Sequence, residues 1–159
     1  QIKLNCELVR LDELLREAFE DAQVLARPYG VNVHLTDCHG VIVSGDRHRL
    51  RQLLLNLADN AIKYNQPDGN VNLALNRKDG SAWLTICNTG AGIPPELLPR
   101  VFDRFFRGDP AHRNSVEACG LGLSIAQWIV TAHGGSIDLV SEPNKQTTAT
   151  VRLPLTNAK

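Results

Sequence analysis

Asn56, Asn60, Lys63 and Tyr64 stand at positions i, i+4, i+7 and i+8. On a helix that spacing projects all four side chains from one side. Two carboxamides, an ammonium and an aromatic ring suit a ligand that combines a metal ion, phosphates and a flat base. Packing offers no reason for the two asparagines, because Asn is a poor helix former that competes with its own backbone for hydrogen bonds. Beside them Leu50, Leu53, Leu54, Leu57 and Ala61 recur at helical spacing within residues 50 to 64, LRQLLLNLADNAIKY, and form an apolar face. One helix thus carries a packing stripe and a polar stripe.

Three further segments hold chemistry-bearing groups. Asn88-Thr89-Gly90-Ala91-Gly92-Ile93 follows a strand pattern directly. Its glycines permit positive φ and a close approach of a ligand to the backbone, and Asn88 at the strand end can meet a base edge; a plain glycine turn fits the same residues. Gly120-Leu121-Gly122-Leu123 reads as a helix start, where free amides and the positive end of the helix dipole can hold phosphate. Tight packing at a helix start is the competing account. Between them lies a stretch of about 103 to 119, DRFFRGDPAHRNSVEAC, without periodicity. Arg104, Arg107, His112 and Arg113 there can clamp phosphates or simply face water, and Phe102, Phe105 and Phe106 can anchor it. His34, His39, His48 and His133 have no catalytic neighbours in the pattern and read as structural or exposed.

These groups need a scaffold, and the pattern supplies one. ELVR at 7 to 10 reads as a short strand. A helix follows to about Ala26, with Asp12 as a possible cap and Leu14, Leu15, Ala18, Val24 and Leu25 inward. Arg27-Pro28-Tyr29-Gly30 stops it. Strands are expected at 31 to 35 and 40 to 43, and Asp46 is placed to cap the striped helix. VNLALN at 71 to 76 and AWLTICN at 82 to 88 alternate and flank a hairpin turn at Arg77-Lys78-Asp79-Gly80. A short helix is expected from Glu96 to Phe102. The last helix ends at Gly134-Gly135, and SIDLVS and TTATVRL finish as a strand pair. This order predicts an α/β two-layer sandwich, a mixed and mostly antiparallel sheet with helices on one face.

Composition narrows the class. The 159 residues suffice for one domain with a real core. Lys plus Arg equals Asp plus Glu at 17 each, a balance that argues against a general nucleic-acid binder. No apolar run is long enough to span a membrane, so no membrane contact by this segment is expected. The four cysteines form no CxxC pair, which argues for reduced, partly buried thiols over a zinc site. The opening QIKLNCELVR reads as an excised piece of a longer protein.

Taken in order, the segments resemble the catalytic ATP-binding domain of sensor histidine kinases, within the wider Bergerat-fold ATPases. NLADNAIKYN is similar to the N box, NTGAGIPPE to the G1 box, FDRFFR to the F box and GLGLSIA to the G2 box, and the likeness runs from about Leu8 to Leu155. The resemblance implies one catalytic domain over 1–159, with an ATP lid at about 103–119 and the dimerisation, phosphoacceptor and sensor domains elsewhere. It implies ATP and Mg²⁺ as cofactors. Asn60 would hold the Mg²⁺, supported by Asn56, while Lys63 would reach a phosphate and Tyr64 the base or ribose. Asn88, Gly90, Gly92 and Ile93 would shape the adenine pocket, with Thr148 completing it. Arg107 and the amides of Gly120, Leu121, Gly122 and Leu123 would face the phosphates. The implied partners are the protein's own dimerisation and histidine phosphotransfer domain and, through it, a response regulator. The implied location is a cytoplasmic domain, monomeric in isolation, of an inner-membrane sensor.

Two positions depart from the family pattern. Asn88 stands where the family usually has Asp, which removes charge assistance worth on the order of 1 kcal/mol and leaves an amide that can turn round. Ala118 stands where the G2 box usually has its first glycine, a strained position if φ must be positive. A Bergerat-type hydrolase is the first alternative, but the general-base Glu of those enzymes is replaced here by the neutral Asn56. A degenerate nucleotide-binding scaffold is the second.

Overall fold

The computed structural model describes residues 3–63, 65–90, 113–142 and 145–156, over 113–122 the backbone alone. Its strands are β1 (Glu7–Arg10), β2 (Asn32–Cys38), β3 (Ile42–Gly45), β4 (Asn70–Lys78), β5 (Ser81–Thr89), β6 (Ser136–Glu142) and β7 (Gln146–Pro154). Its helices are α1 (Leu11–Ala26), α2 (Arg47–Lys63) and α3 (Arg113–Ala132). Strands β2-β4-β5-β7-β6 form one sheet in that order, with β2 parallel to β4 and the other pairs antiparallel. β1 and β3 pair separately as an antiparallel ribbon. This is the expected mixed, mostly antiparallel sandwich.

Alternation decides which face of the sheet is covered. Val71, Leu73 and Leu75 of β4, Ala82, Leu84 and Ile86 of β5, and Ala149, Val151 and Leu153 of β7 are all buried. They meet Leu50, Leu53, Leu54, Leu57 and Ala61 of α2 and Leu123, Ala126, Ile129 and Val130 of α3 in one core. The intervening strand residues lie on the other face, where Trp83 is flanked by Lys78 and Arg152, each cation 4.9 Å from the ring centroid.

Local sequence sets the element ends. Asp79 and Gly80 have φ of 50° and 76°, the left-handed pair that a tight hairpin between β4 and β5 requires. Gly30, at φ 68°, turns the chain after a 3₁₀ turn at Arg27–Tyr29. Gly135 has no room for a side chain, because a Cβ there would stand 2.1 Å from the Arg152 carbonyl oxygen.

α1 departs from expectation at both ends. Its N-cap is Arg10, and Asp12 sits in the first turn. There the buried Asp12 carboxylate accepts a hydrogen bond from Val41 N at 3.4 Å. Val24 and Leu25 are 58% and 44% exposed, and the buried stripe runs on through Ala22 and Ala26 instead. At about 100° per residue Val24 is turned well away from that stripe, and Leu25 lies in the last turn.

Asp46 caps α2 as expected, its Oδ1 accepting from Arg49 N at 3.1 Å. Its Oδ2 accepts from Asn5 N at 3.0 Å. Its own N–H donates to His133 Nε2 at 3.0 Å, while His133 Nδ1 lies 2.7 Å from the Ile129 carbonyl oxygen. His133 is thereby structural, the bolt between the end of α3 and the start of α2. Gly45 makes room for it: a Cβ there would stand 2.7 Å from His133 Cδ2.

The amides of Asn5 and then Arg49 hold the Asp46 carboxyl below its ordinary value of 3.8. A lowered folded-state pKa means stability present above 3.8 and lost as pH falls through the folded value. Asp46→Ala is therefore expected to lower the urea midpoint at pH 7, with the gap to the unsubstituted chain closing as the pH drops below 3.8. A gap independent of pH would mean that the carboxylate is not the capping group.

Candidate functional site

The polar stripe of α2 lies where the helix ends against the sheet. Asn65 fastens that end. Its Nδ2 donates to the Asn70 carbonyl at 2.9 Å, and its Oδ1 accepts from Gln66 N at 2.9 Å and from Thr89 Oγ1 at 3.1 Å. Thr89 Oγ1 in turn accepts from Asn70 N at 2.9 Å. A Cβ at Gly69 would stand 1.8 Å from Asn65 Oδ1, so the clamp depends on glycine there. The C-terminal turn of α2 is thus pinned beside the last residues of β5.

On that turn Asn60 is buried at 8% exposure, and its Nδ2 has no hydrogen-bond partner among the described residues. Such an atom costs about 1–3 kcal/mol when nothing meets it. Asn56, one turn earlier, is half-buried. Lys63 Nζ forms an ion pair with Asp59 Oδ2 at 3.1 Å, both side chains being more than a third exposed. Asp59 was not singled out in the sequence; its i, i+4 spacing to Lys63 was the available signal. Tyr64 lies outside the described residues.

β5 ends with Asn88, 6% exposed and on the helix-facing side. Its Nδ2 donates to the Thr89 carbonyl at 3.2 Å, which leaves Oδ1 as the acceptor. Gly90 follows at φ 138°, and its N–H donates to the Lys145 carbonyl at 3.3 Å. Gly92, Ile93 and Arg107 lie outside the described residues, as do the helix expected from Glu96 and residues 103–112 of the lid.

Two expectations need correction. Thr148 does not face the pocket. It pairs with Cys87 on the opposite side of the sheet, and Thr147, 7% exposed, is the residue that faces Asn88. Thr147 Oγ1 lies 2.9 Å from Ser141 Oγ on β6. Two adjacent threonines hide the parity of the strand, so the sequence pattern alone did not distinguish them.

The second concerns Gly120, Leu121, Gly122 and Leu123, which do not begin a helix. α3 begins at Arg113, so their amides lie beyond the first turn, whose N–H groups alone lack an intrahelical acceptor. Leu123 is 2% exposed in the core. Interior glycines cost only about 1 kcal/mol each, and Ala118, a strong helix former, lies within the same helix. Ala118 therefore takes a right-handed helical backbone and carries no positive-φ strain.

Residues 45–157 match the family described as histidine kinase-, DNA gyrase B-, and HSP90-like ATPase. Sensor protein SrrB of Staphylococcus aureus is 36% identical over 153 residues, 96% of this chain and 26% of that protein. The chain thus spans about a quarter of the length of that relative. A mycobacterial sensor histidine kinase, MprB, superposes with a TM-score of 0.76 at 32% identity, covering 94% of this chain and 97% of that one. Full-length ShkA in complex with AMPPNP superposes with a TM-score of 0.83 at 28% identity, covering 99% of this chain and 32% of that one.

Asn60 Nδ2, without a partner among the described residues, bears directly on folding stability. Asn60→Leu removes a buried polar group of similar size, so the urea midpoint is expected to stay equal or rise. A fall of more than about 1 kcal/mol would show that Asn60 is part of the packing scaffold.

Proposed function

The chain belongs to the histidine kinase-, DNA gyrase B-, and HSP90-like ATPase family, among the ATP-binding domains of sensor histidine kinases, and from that premise we propose that it binds Mg-ATP and presents the γ-phosphate to a histidine on a separate dimerisation domain. The observation that carries the proposal is Asn60, a buried carboxamide whose Nδ2 meets no partner among the described residues, on the helix turn clamped beside Asn88. A nucleotide analogue in the ShkA complex supports the ligand class.

The residues fit the group. Mg²⁺ takes oxygen ligands and keeps several waters, and it is held through one or two protein groups plus phosphates. Asn60 would supply its carboxamide oxygen, with Asn56 one turn behind. When bound, the ion neutralises charge on the phosphates. Lys63 adds a second positive charge once it leaves Asp59, an exchange that costs little because an exposed ion pair is worth about 0–1 kcal/mol. Asn88 Oδ1 accepts from the adenine amino group. Arg107, Gly92, Ile93 and Tyr64 remain the family-based assignments for the rest of the pocket. The amides of residues 120–123 would meet phosphate only in a different arrangement of the N-terminal part of α3.

Transfer rests on positioning and charge, with little covalent work for the protein. Asn56 is a neutral amide and cannot serve as general base for water, which favours transfer over hydrolysis. The acceptor histidine belongs to another part of the sensor, and a response regulator is the onward partner.

Calorimetry with Mg-ATP is expected to give a Kd in the ~micromolar range, weakened about tenfold or more by Lys63→Met. Absence of heat at millimolar nucleotide would overturn the proposal. Incubated with γ-labelled ATP, the chain alone is expected to stay unlabelled; label on one of its own histidines would show that it contains its own acceptor.

A further inference from the structure

Thr89 follows Asn88 on β5, and strand alternation turns its side chain away from the helix-facing side that Asn88 occupies. The β4–β5 ladder closes with Val71 opposite Asn88. One residue further on, the Thr89 hydroxyl takes over from the backbone. It accepts from Asn70 N at 2.9 Å and donates to Asn65 Oδ1 at 3.1 Å, which uses its single proton. The Asn65 amide is oriented by its other bonds. Its Nδ2 donates to the Asn70 carbonyl at 2.9 Å, and its Oδ1 also accepts from Gln66 N at 2.9 Å. Asn65 N donates to the Ile62 carbonyl at 3.1 Å, which ties the residue to the last turn of α2. Asn88 is bonded to the same threonine, its Nδ2 donating to the Thr89 carbonyl at 3.2 Å. Thr89 thus joins the end of α2 through its side chain and Asn88 through its backbone.

We propose that Thr89 is a positioning residue for nucleotide binding. Through Asn65 it sets the span from Asn60 and Lys63 on α2 to Asn88 on β5, so that one Mg-nucleotide meets both ends at once. The inference rests on the Mg-ATP reading above and concerns the linkage between the two ends of that site. A ligand that touches both ends makes its second contact within one complex, at the high effective concentration that a fixed span provides. That advantage needs the span to be held, since a displacement of about 1 Å can forfeit about a hundredfold. A ligand that touches one end alone has no such advantage to lose. The clamp therefore matters to the whole nucleotide and not to its pieces.

The test is to titrate the unsubstituted chain and Thr89→Val with Mg-ATP, with adenosine and with inorganic Mg-triphosphate, following the two weak fragments by NMR. Valine keeps the branched shape and removes the hydroxyl. In Thr89→Val, Mg-ATP is expected to bind about tenfold more weakly, with each fragment within about threefold of its unsubstituted value. Thr89→Ser keeps the hydroxyl and is expected to return Mg-ATP to within about threefold. Asp46→Ala controls for stability: it loses the cap at the far end of α2 and is expected to keep its Kd for Mg-ATP. An unchanged Kd for Mg-ATP in Thr89→Val overturns the inference and leaves the ATP proposal standing. So does an equal loss for either fragment, a loss that Thr89→Ser fails to restore, or an equal loss in Asp46→Ala. Where a fragment is too weak to titrate, the Mg-ATP ratio and the serine rescue decide. Absence of Mg-ATP binding by the unsubstituted chain overturns the ATP proposal, and the inference with it. Should Thr89→Val not fold, Asn65→Ala cuts the same hydrogen bond from the other side and is read by the same ratios.

Discussion

The rotation of α2 about its own axis is the constraint on which the site depends. Leu50, Leu53, Leu54 and Leu57 are each at most 3% exposed. Full burial of such a side chain is worth about 1.5–3 kcal/mol, so the stripe resists rotation by several kcal/mol. Asn60 lies next to that stripe and is carried inward with it. The penalty for its unmatched Nδ2, about 1–3 kcal/mol, is smaller than what the leucines gain. The polar group therefore stays where packing puts it, and the fold itself holds the Asn60 carboxamide buried.

Rotation alone would leave the helix free to slide along the sheet. The Asn65–Thr89–Asn70 bonds remove that freedom by fastening the last turn of α2 to β4 and β5. Both halves of the site then refer to one point. Asn60 and Lys63 lie just before the clamp on the helix, and Asn88 is the residue before Thr89 on the strand. Their relative placement depends on short side chains and backbone, with no long flexible group in the chain of contacts.

How much of this was legible follows from which physical signal each residue carries. The leucine stripe, the Asp46 cap and the Asp79-Gly80 turn are local, and each was readable because spacing or backbone preference determines it. The family was legible because four boxes occur in order, a match the homologues bear out. Thr147 was not readable, since strand parity is set by which face is buried and two adjacent threonines look alike. The start of α3 was misplaced because glycine at 120 and 122 was weighed as a helix boundary, whereas flanking helix formers outweigh two modest local penalties. Asn60 was legible as a polar group without a packing reason, but its burial was not, because burial depends on the sheet beneath it.

Gly45, Asp46 and His133 are joined by sterics and hydrogen bonding at one point. A side chain at 45 displaces the imidazole, and a displaced imidazole strands the Asp46 amide at the start of α2. Changes at these three sites cannot combine additively. A descendant of this sequence that enlarged residue 45 would need room made at 133, 88 positions along the chain, and a shift of Leu50, whose Cδ1 would stand 2.9 Å from the new Cβ. Drift at the corner is therefore confined to paired substitutions, and the order in which they arise matters.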